Sequence, residues 1–185
     1  MRYTTRELAL IAIFSCLGAV LSVPIGYLGN YLKTIPLLPF GFGQILSGLH
    51  IFILVLSSLY LKKPGASTMT ATVKGFVEVV LFSFHGILVI LMSALQGLIL
   101  DVIVYLLRKH TISYILGGGI AAISNVAYIQ FFLNLPFPVE AYALMYLLAS
   151  LSGLVFGGFG GLILYKMVEN RMEHSSIYPT QTRST

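Results

Sequence analysis

The chain has 185 residues, 57% of them hydrophobic and only 9% charged, with a mean hydropathy of +0.92 and a formal net charge of +5. Charged residues alone make up about a quarter of an ordinary soluble domain, so this composition excludes one and indicates a chain solvated by lipid. The positive balance does not indicate nucleic acid: no basic patch with interleaved aromatics is present, and the cations sit where membrane topology and anionic lipid account for them.

Nine of the eleven Lys and Arg residues fall in four places: Arg2 and Arg6, Lys62-Lys63, Arg108-Lys109, and Lys166, Arg171 and Arg183. Positive loops stay cytoplasmic, and a cation is costly to move across a bilayer. Six spans with both termini cytoplasmic put all four places on one side, and backbone amides in lipid require those spans to be helices. The predicted architecture is therefore an all-α, six-helix transmembrane protein of the plasma membrane.

In chain order, span one is predicted over about 7–26, at the length that crosses a bilayer. Arg2 and Arg6 ahead of it resemble a signal peptide, but no small-x-small site follows, so the helix is expected to be retained. Tyr27 to Pro36 reads as an outer loop, punctuated by Gly29 and Pro36. Span two follows over about 37–61, and Lys62-Lys63-Pro64-Gly65 makes a tight inner turn. Span three, about 67–84, carries Lys74 and Glu78; Ser83 to Gly86 turns it into span four, about 87–107. Span five covers about 113–133, a Pro-rich outer loop runs to Glu140, and span six covers about 141–167. This gives a membrane domain over 1–168 and a polar cytosolic tail over 169–185, expected to be disordered.

Ionisable residues inside spans are the first place to seek function, because each needs a partner or a cavity. Lys74 and Glu78 are four apart and share a helix face. Counted from the inner ends, Lys74 and Asp101 lie about 10 Å deep, and Glu78 and Gln96 about 16 Å. Lys74 is expected to pair with Asp101 or Glu78, which leaves Glu78 as the carboxylate available to a cationic ligand. Gln44, Gln96, Asn125 and Gln130 are span amides that either cross-link helices or face a ligand. His50 reads as a satisfied neutral imidazole, and His85 sits at the outer end of span three. Tyr27, Tyr31, Tyr128, Tyr142 and Tyr146 gather at outer ends, as an aromatic belt or as walls for a flat heteroaromatic ligand. Cys16, the one cysteine, is expected to be buried and inert, which excludes a disulfide or thiolate metal set.

Ala12, Ser15, Ala19 and Ser22 form a small-residue face on span one, suited to internal packing or to an external helix. Span six is similar, with Gly153, Gly157-Gly158 and Gly160-Gly161. No nucleophile elbow, zincin or phosphate-loop motif is present, so an enzyme is not expected, nor is a cofactor or metal.

Lys63-Pro64-Gly65-Ala66, Val77-Glu78, Gly86, Gln96-Gly97-Leu98 with Asp101, and Arg6-Glu7 followed by Ser15 and Ala19 carry a resemblance over most of the first 110 residues. The chain resembles the substrate-binding S component of energy-coupling-factor (ECF) vitamin transporters, closest to the YkoE-like, thiamine-related branch. The resemblance implies a membrane subunit that captures a vitamin, thiamine or its hydroxymethylpyrimidine precursor, for ATP-driven uptake. Its implied partners are a transmembrane coupling subunit and cytosolic ATPase subunits. Glu78, Gln96, Gln44, His85, Gln130, Tyr128, Tyr142 and Tyr146 become substrate-binding candidates, and Ala12, Ser15 and Ala19 a candidate face for the coupling subunit. Gln44 stands where the thiamine-related relative carries a carboxylate, and His50 where it carries an aromatic, which implies a less cationic ligand such as hydroxymethylpyrimidine. The alternatives are an S component for another vitamin, or a membrane scaffold or sensor without transport function.

Overall fold

In a computed structural model, residues 3–33, 35, 41–81, 86–108 and 110–176 are described. Among them every regular element is helical. α1 spans Thr5–Lys33, and a 3₁₀ turn over Phe42–Leu46 leads into α2, Ser47–Leu61. α3 is Ala66–Val80, α4 Leu88–Leu106 and α5 Thr111–Phe131. The last span is one continuous rod: α6, Val139–Ser152, a π-helical stretch over Gly153–Phe159, and α7, Gly160–Ser176.

α2 is apolar on every side, as a helix surrounded by others must be. It packs against all of the remaining helices, and Ile51, Leu54 and Val55 are at most 1% exposed. The outer faces of α1 and α4 instead present Ile13, Leu17 and Val20, and Leu91, Leu98 and Val102, in the manner of a lipid-facing surface. Cys16 lies on that exposed face of α1 and is not the buried thiol expected from its apolar neighbours.

Glycine lets the helices approach to backbone contact. A Cβ at Gly97 on α4 would sit 2.5 Å from the Ser67 carbonyl and 2.8 Å from Thr68 Cα on α3. On α5, Gly118 and Gly119 face the π-helical stretch, where a Cβ at Gly118 would meet Gly158 N at 2.8 Å, and Gly117 faces Leu100 of α4. Those glycines are therefore packing surfaces.

Five helical stretches are long and apolar enough to cross a membrane: Thr5–Leu32, Phe42–Leu61, Leu88–Leu106, Thr111–Phe131 and Val139–Arg171. The predicted third span is α3, which has only 15 residues and carries Lys74 and Glu78. It lies packed between α1 and α4. The predicted outer loop from Tyr27 is corrected: α1 continues without a break to Lys33, carrying Pro24 inside it. α2 does end at Leu61, where Lys62 adopts φ 50° and Gly65 φ 85°, the left-handed turn that the Lys-Lys-Pro-Gly sequence called for. The rod of the last span runs to Ser176, eight residues into the segment read as a tail, and residues 177–185 lie outside the described residues.

Candidate functional site

The polar residues of α3 form one buried stripe: Ser67, Thr70, Lys74 and Glu78 are at most 4% exposed, at the three- and four-residue spacing of a helix face. At its N-terminal end, Asp101 of α4 accepts the backbone N–H of Ser67 at 3.2 Å, that of Thr68 at 2.8 Å, and the Thr68 hydroxyl at 2.6 Å. A carboxylate there satisfies orphan amides and complements the positive end of the helix. Asp101 is therefore not at the depth of Lys74 and is not its partner. In the middle, Ser15 of α1 donates to the Thr70 carbonyl at 2.9 Å, and the Thr70 and Ser57 hydroxyls meet at 2.6 Å. At the far end Lys74 donates to Glu78 Oε1 at 2.5 Å.

That ion pair lies in the wall of a cavity of about 590 Å³. The C-terminal half of α1 contributes Ser22, Tyr27 and Asn30; the 3₁₀ turn and the start of α2 contribute Phe42, Gln44, Ser47 and His50. α4 supplies Met92, Ser93 and Gln96, α5 supplies Asn125 and Ile129, and the loop beyond it Leu135 and Phe137. The cavity thus occupies the end of the bundle opposite Lys62-Lys63 and Arg108. At the other end Lys63 meets Glu7 at 2.7 Å and lies over the Tyr3 ring.

Several polar groups in this wall are already engaged. Asn125 donates to Gln44 at 3.2 Å, so these two amides both cross-link helices and line the cavity. His50 Nδ1 is 2.9 Å from the Ser22 hydroxyl, which also donates to the Gly18 carbonyl. Three side chains of the wall make none of the described hydrogen bonds: Ser47, whose Oγ is buried without a partner, and Gln96 and Ser93, in residues 3% and 1% exposed. Buried polar groups without partners cost about 1–3 kcal/mol each, so a wall that retains them is suited to a polar ligand.

The sequence-predicted residues divide accordingly. Glu78, Gln96 and Gln44 come together in the cavity. Gln130, Tyr128, Tyr142 and Tyr146 are not among its lining residues: Tyr146 donates to Gln130 at 2.7 Å, Tyr142 to the Leu135 carbonyl at 2.6 Å, and Tyr128 stacks on Phe132. His85 lies outside the described residues. Ser47, Ser93, Phe42 and Phe137 line the cavity but were not singled out from the sequence, where a Ser or Phe in an apolar run carries no signal. Ser15 and Ala19 are 0% exposed and pack inside the bundle, which corrects their assignment to an external docking face; Ala12 alone of the three is exposed. Among the described residues no three His, Cys, Asp or Glu side chains gather as a metal-ligand set.

A solved structure described as an S-component of an ECF transporter shares this fold, with a TM-score of 0.80 over 97% of this chain and 100% of that one, at 18% identity. No curated protein sequence matches the chain. The sequence profile described as "ABC-type cobalt transport system, permease component" matches residues 6–124, well over half of the chain. The chain accordingly belongs to the family of ABC-type cobalt transport system permease components, a transport family and not an enzyme class, as a multi-pass protein of the plasma membrane.

Proposed function

We propose that this protein is the S component of an ECF-type transporter, capturing an aminopyrimidine vitamin, thiamine or its hydroxymethylpyrimidine precursor, for ATP-driven uptake. The observation that carries the proposal is the pairing of unengaged polar groups with a ligand-sized cavity. Gln96, with its amide free among the described hydrogen bonds, and Ser47, with its buried and unpartnered hydroxyl, are both wall residues of a 590 Å³ space also bounded by Tyr27, Phe42 and Phe137. Cavities of a few hundred Å³ with apolar walls and a few placed polar groups are the usual form of small-molecule sites. An amide carries both donor and acceptor, which matches the amino group and ring nitrogen of an aminopyrimidine edge. Flat rings stack on aromatic walls.

The basic turns at the opposite end face the cytoplasm by the positive-inside rule, which puts both termini inside and the cavity on the outer side, where a nutrient is captured. On this reading α3 is the sixth span, short, with its polar stripe turned into the bundle and Val73, Phe76 and Val80 on its outer face. A transmembrane coupling subunit and cytosolic ATPase subunits supply the energy, and Ala12 belongs to the surface available to them.

A second reading follows from the cobalt named in the family's description. The donors in the wall do not favour it. Glu78 is held by Lys74, His50 is hydrogen-bonded to Ser22, and the remaining polar groups are amides and hydroxyls, which hold soft or borderline divalent ions poorly. Calorimetric titration of the purified protein with hydroxymethylpyrimidine, thiamine and Co²⁺ separates the readings. An organic ligand is expected to bind at micromolar concentration or below. Saturable Co²⁺ binding without binding of either organic compound would replace the proposal.

A further inference from the structure

We infer that Lys74 sets the charge preference of the cavity, so that a neutral ligand is admitted and a cationic one disfavoured; this rests on the binding role proposed above. Lys74 and Glu78 are 2% and 4% exposed, and both belong to the cavity wall. With Lys74 Nζ 2.5 Å from Glu78 Oε1, the carboxylate is balanced before a ligand arrives. A cation that takes Glu78 must draw it from the ammonium. Two cations sharing one buried carboxylate repel strongly at low dielectric, and an ammonium stripped of its partner is heavily destabilised.

The Lys74 side chain is held on its α1 side. Its stem packs closely on α1: a Cβ at Gly18 would lie 3.1 Å from Lys74 Cδ and 3.3 Å from its Cε. Among the described residues no other anion compensates it. Asp101 caps the start of α3 at Ser67 and Thr68, about 9 Å along the helix from Lys74 at 1.5 Å per residue. A neutral ring leaves the ion pair intact and meets the free hydrogen-bonding capacity of Gln96 and Ser47. Lys74 thereby acts as the cavity's own cation, filling the charge that a cationic substrate would otherwise supply.

The test is a four-protein cycle with two probes, neutral hydroxymethylpyrimidine and cationic thiamine, titrated calorimetrically into wild type, Lys74→Met, Glu78→Gln and the double variant. Wild type is expected to prefer the neutral probe. Lys74→Met should shift the affinity ratio toward thiamine by about tenfold or more, and Glu78→Gln should shift it the other way. The double variant has no buried charge to leave unpaired, so it folds even if a single variant does not, and its ratio should return to within about threefold of wild type. An unchanged ratio in every variant that binds overturns the role of Lys74 while leaving the proposed function standing. Failure of both probes to bind wild type and all variants removes the binding role itself, and the inference with it.

Discussion

Ser47 separates a binding wall from a merely packed one. Its hydroxyl is buried and unpartnered at the start of α2, and Ala in its place removes an unsatisfied group at no cost in packing. Ser47→Ala is expected to leave the thermal stability of the ligand-free protein unchanged or slightly raised, and to weaken ligand binding about five- to tenfold, the value of roughly one hydrogen bond. Lower stability with unaltered affinity would show that the hydroxyl serves the fold. Sequence alone marked Glu78, Gln96 and Gln44 because carboxylates and amides are conspicuous in apolar spans. It could not mark Ser47, since serine is common in transmembrane helices and only its lack of a partner in three dimensions distinguishes it. Tyr142 and Tyr146 drew notice as aromatic rings at outer helix ends, and their hydroxyls bond the Leu135 carbonyl and Gln130.

At the scale of elements, α3 depends on a cap that its own sequence lacks. Its flanking residue, Gly65, makes no side-chain cap, and Asp101 supplies the acceptor from the neighbouring helix. Asp101→Ala should lower stability by roughly 1–2 kcal/mol, the cost of a lost cap, or by a few degrees in thermal midpoint. Because the cavity lies at the other end of α3, ligand affinity should change by less than about threefold; a loss as large as that of Gln96→Ala would contradict the division of labour along this helix. Helix boundaries were legible where a turn had its own chemistry, as at Lys62 to Gly65. They were not legible at Tyr27 to Lys33, where Gly29 and the polar Asn30 suggest a loop, although α1 continues through them and places Tyr27 and Asn30 in the cavity wall. The small face of α1 was readable as a close-approach surface. Which partner it approached was not, because Ser15 satisfies its hydroxyl on the α3 backbone and helix spacing alone cannot distinguish that from an external contact.

For the whole molecule, hydropathy and the grouping of cations fixed a helical membrane protein, and the fold shared with an ECF S-component structure agrees with that. The polar interior is what a linear reading could not assemble: the stripe on α3 is bonded on one side to Asp101 of α4 and on the other to Ser15 of α1, residues far apart in sequence. Its consequence is an asymmetric bundle, with a satisfied, capped polar end beside the basic turns and a cavity with spare hydrogen-bonding capacity at the other. The central claim is that this cavity holds a pyrimidine-type vitamin or precursor. The most direct measurement is native mass spectrometry of the detergent-purified protein from cells supplied with hydroxymethylpyrimidine and thiamine, alongside a Gln96→Ala variant. The account predicts one bound small molecule with the mass of hydroxymethylpyrimidine on the wild-type protein and its loss from the variant. Protein carrying no organic ligand under these conditions, or equal occupancy in the variant, would contradict it.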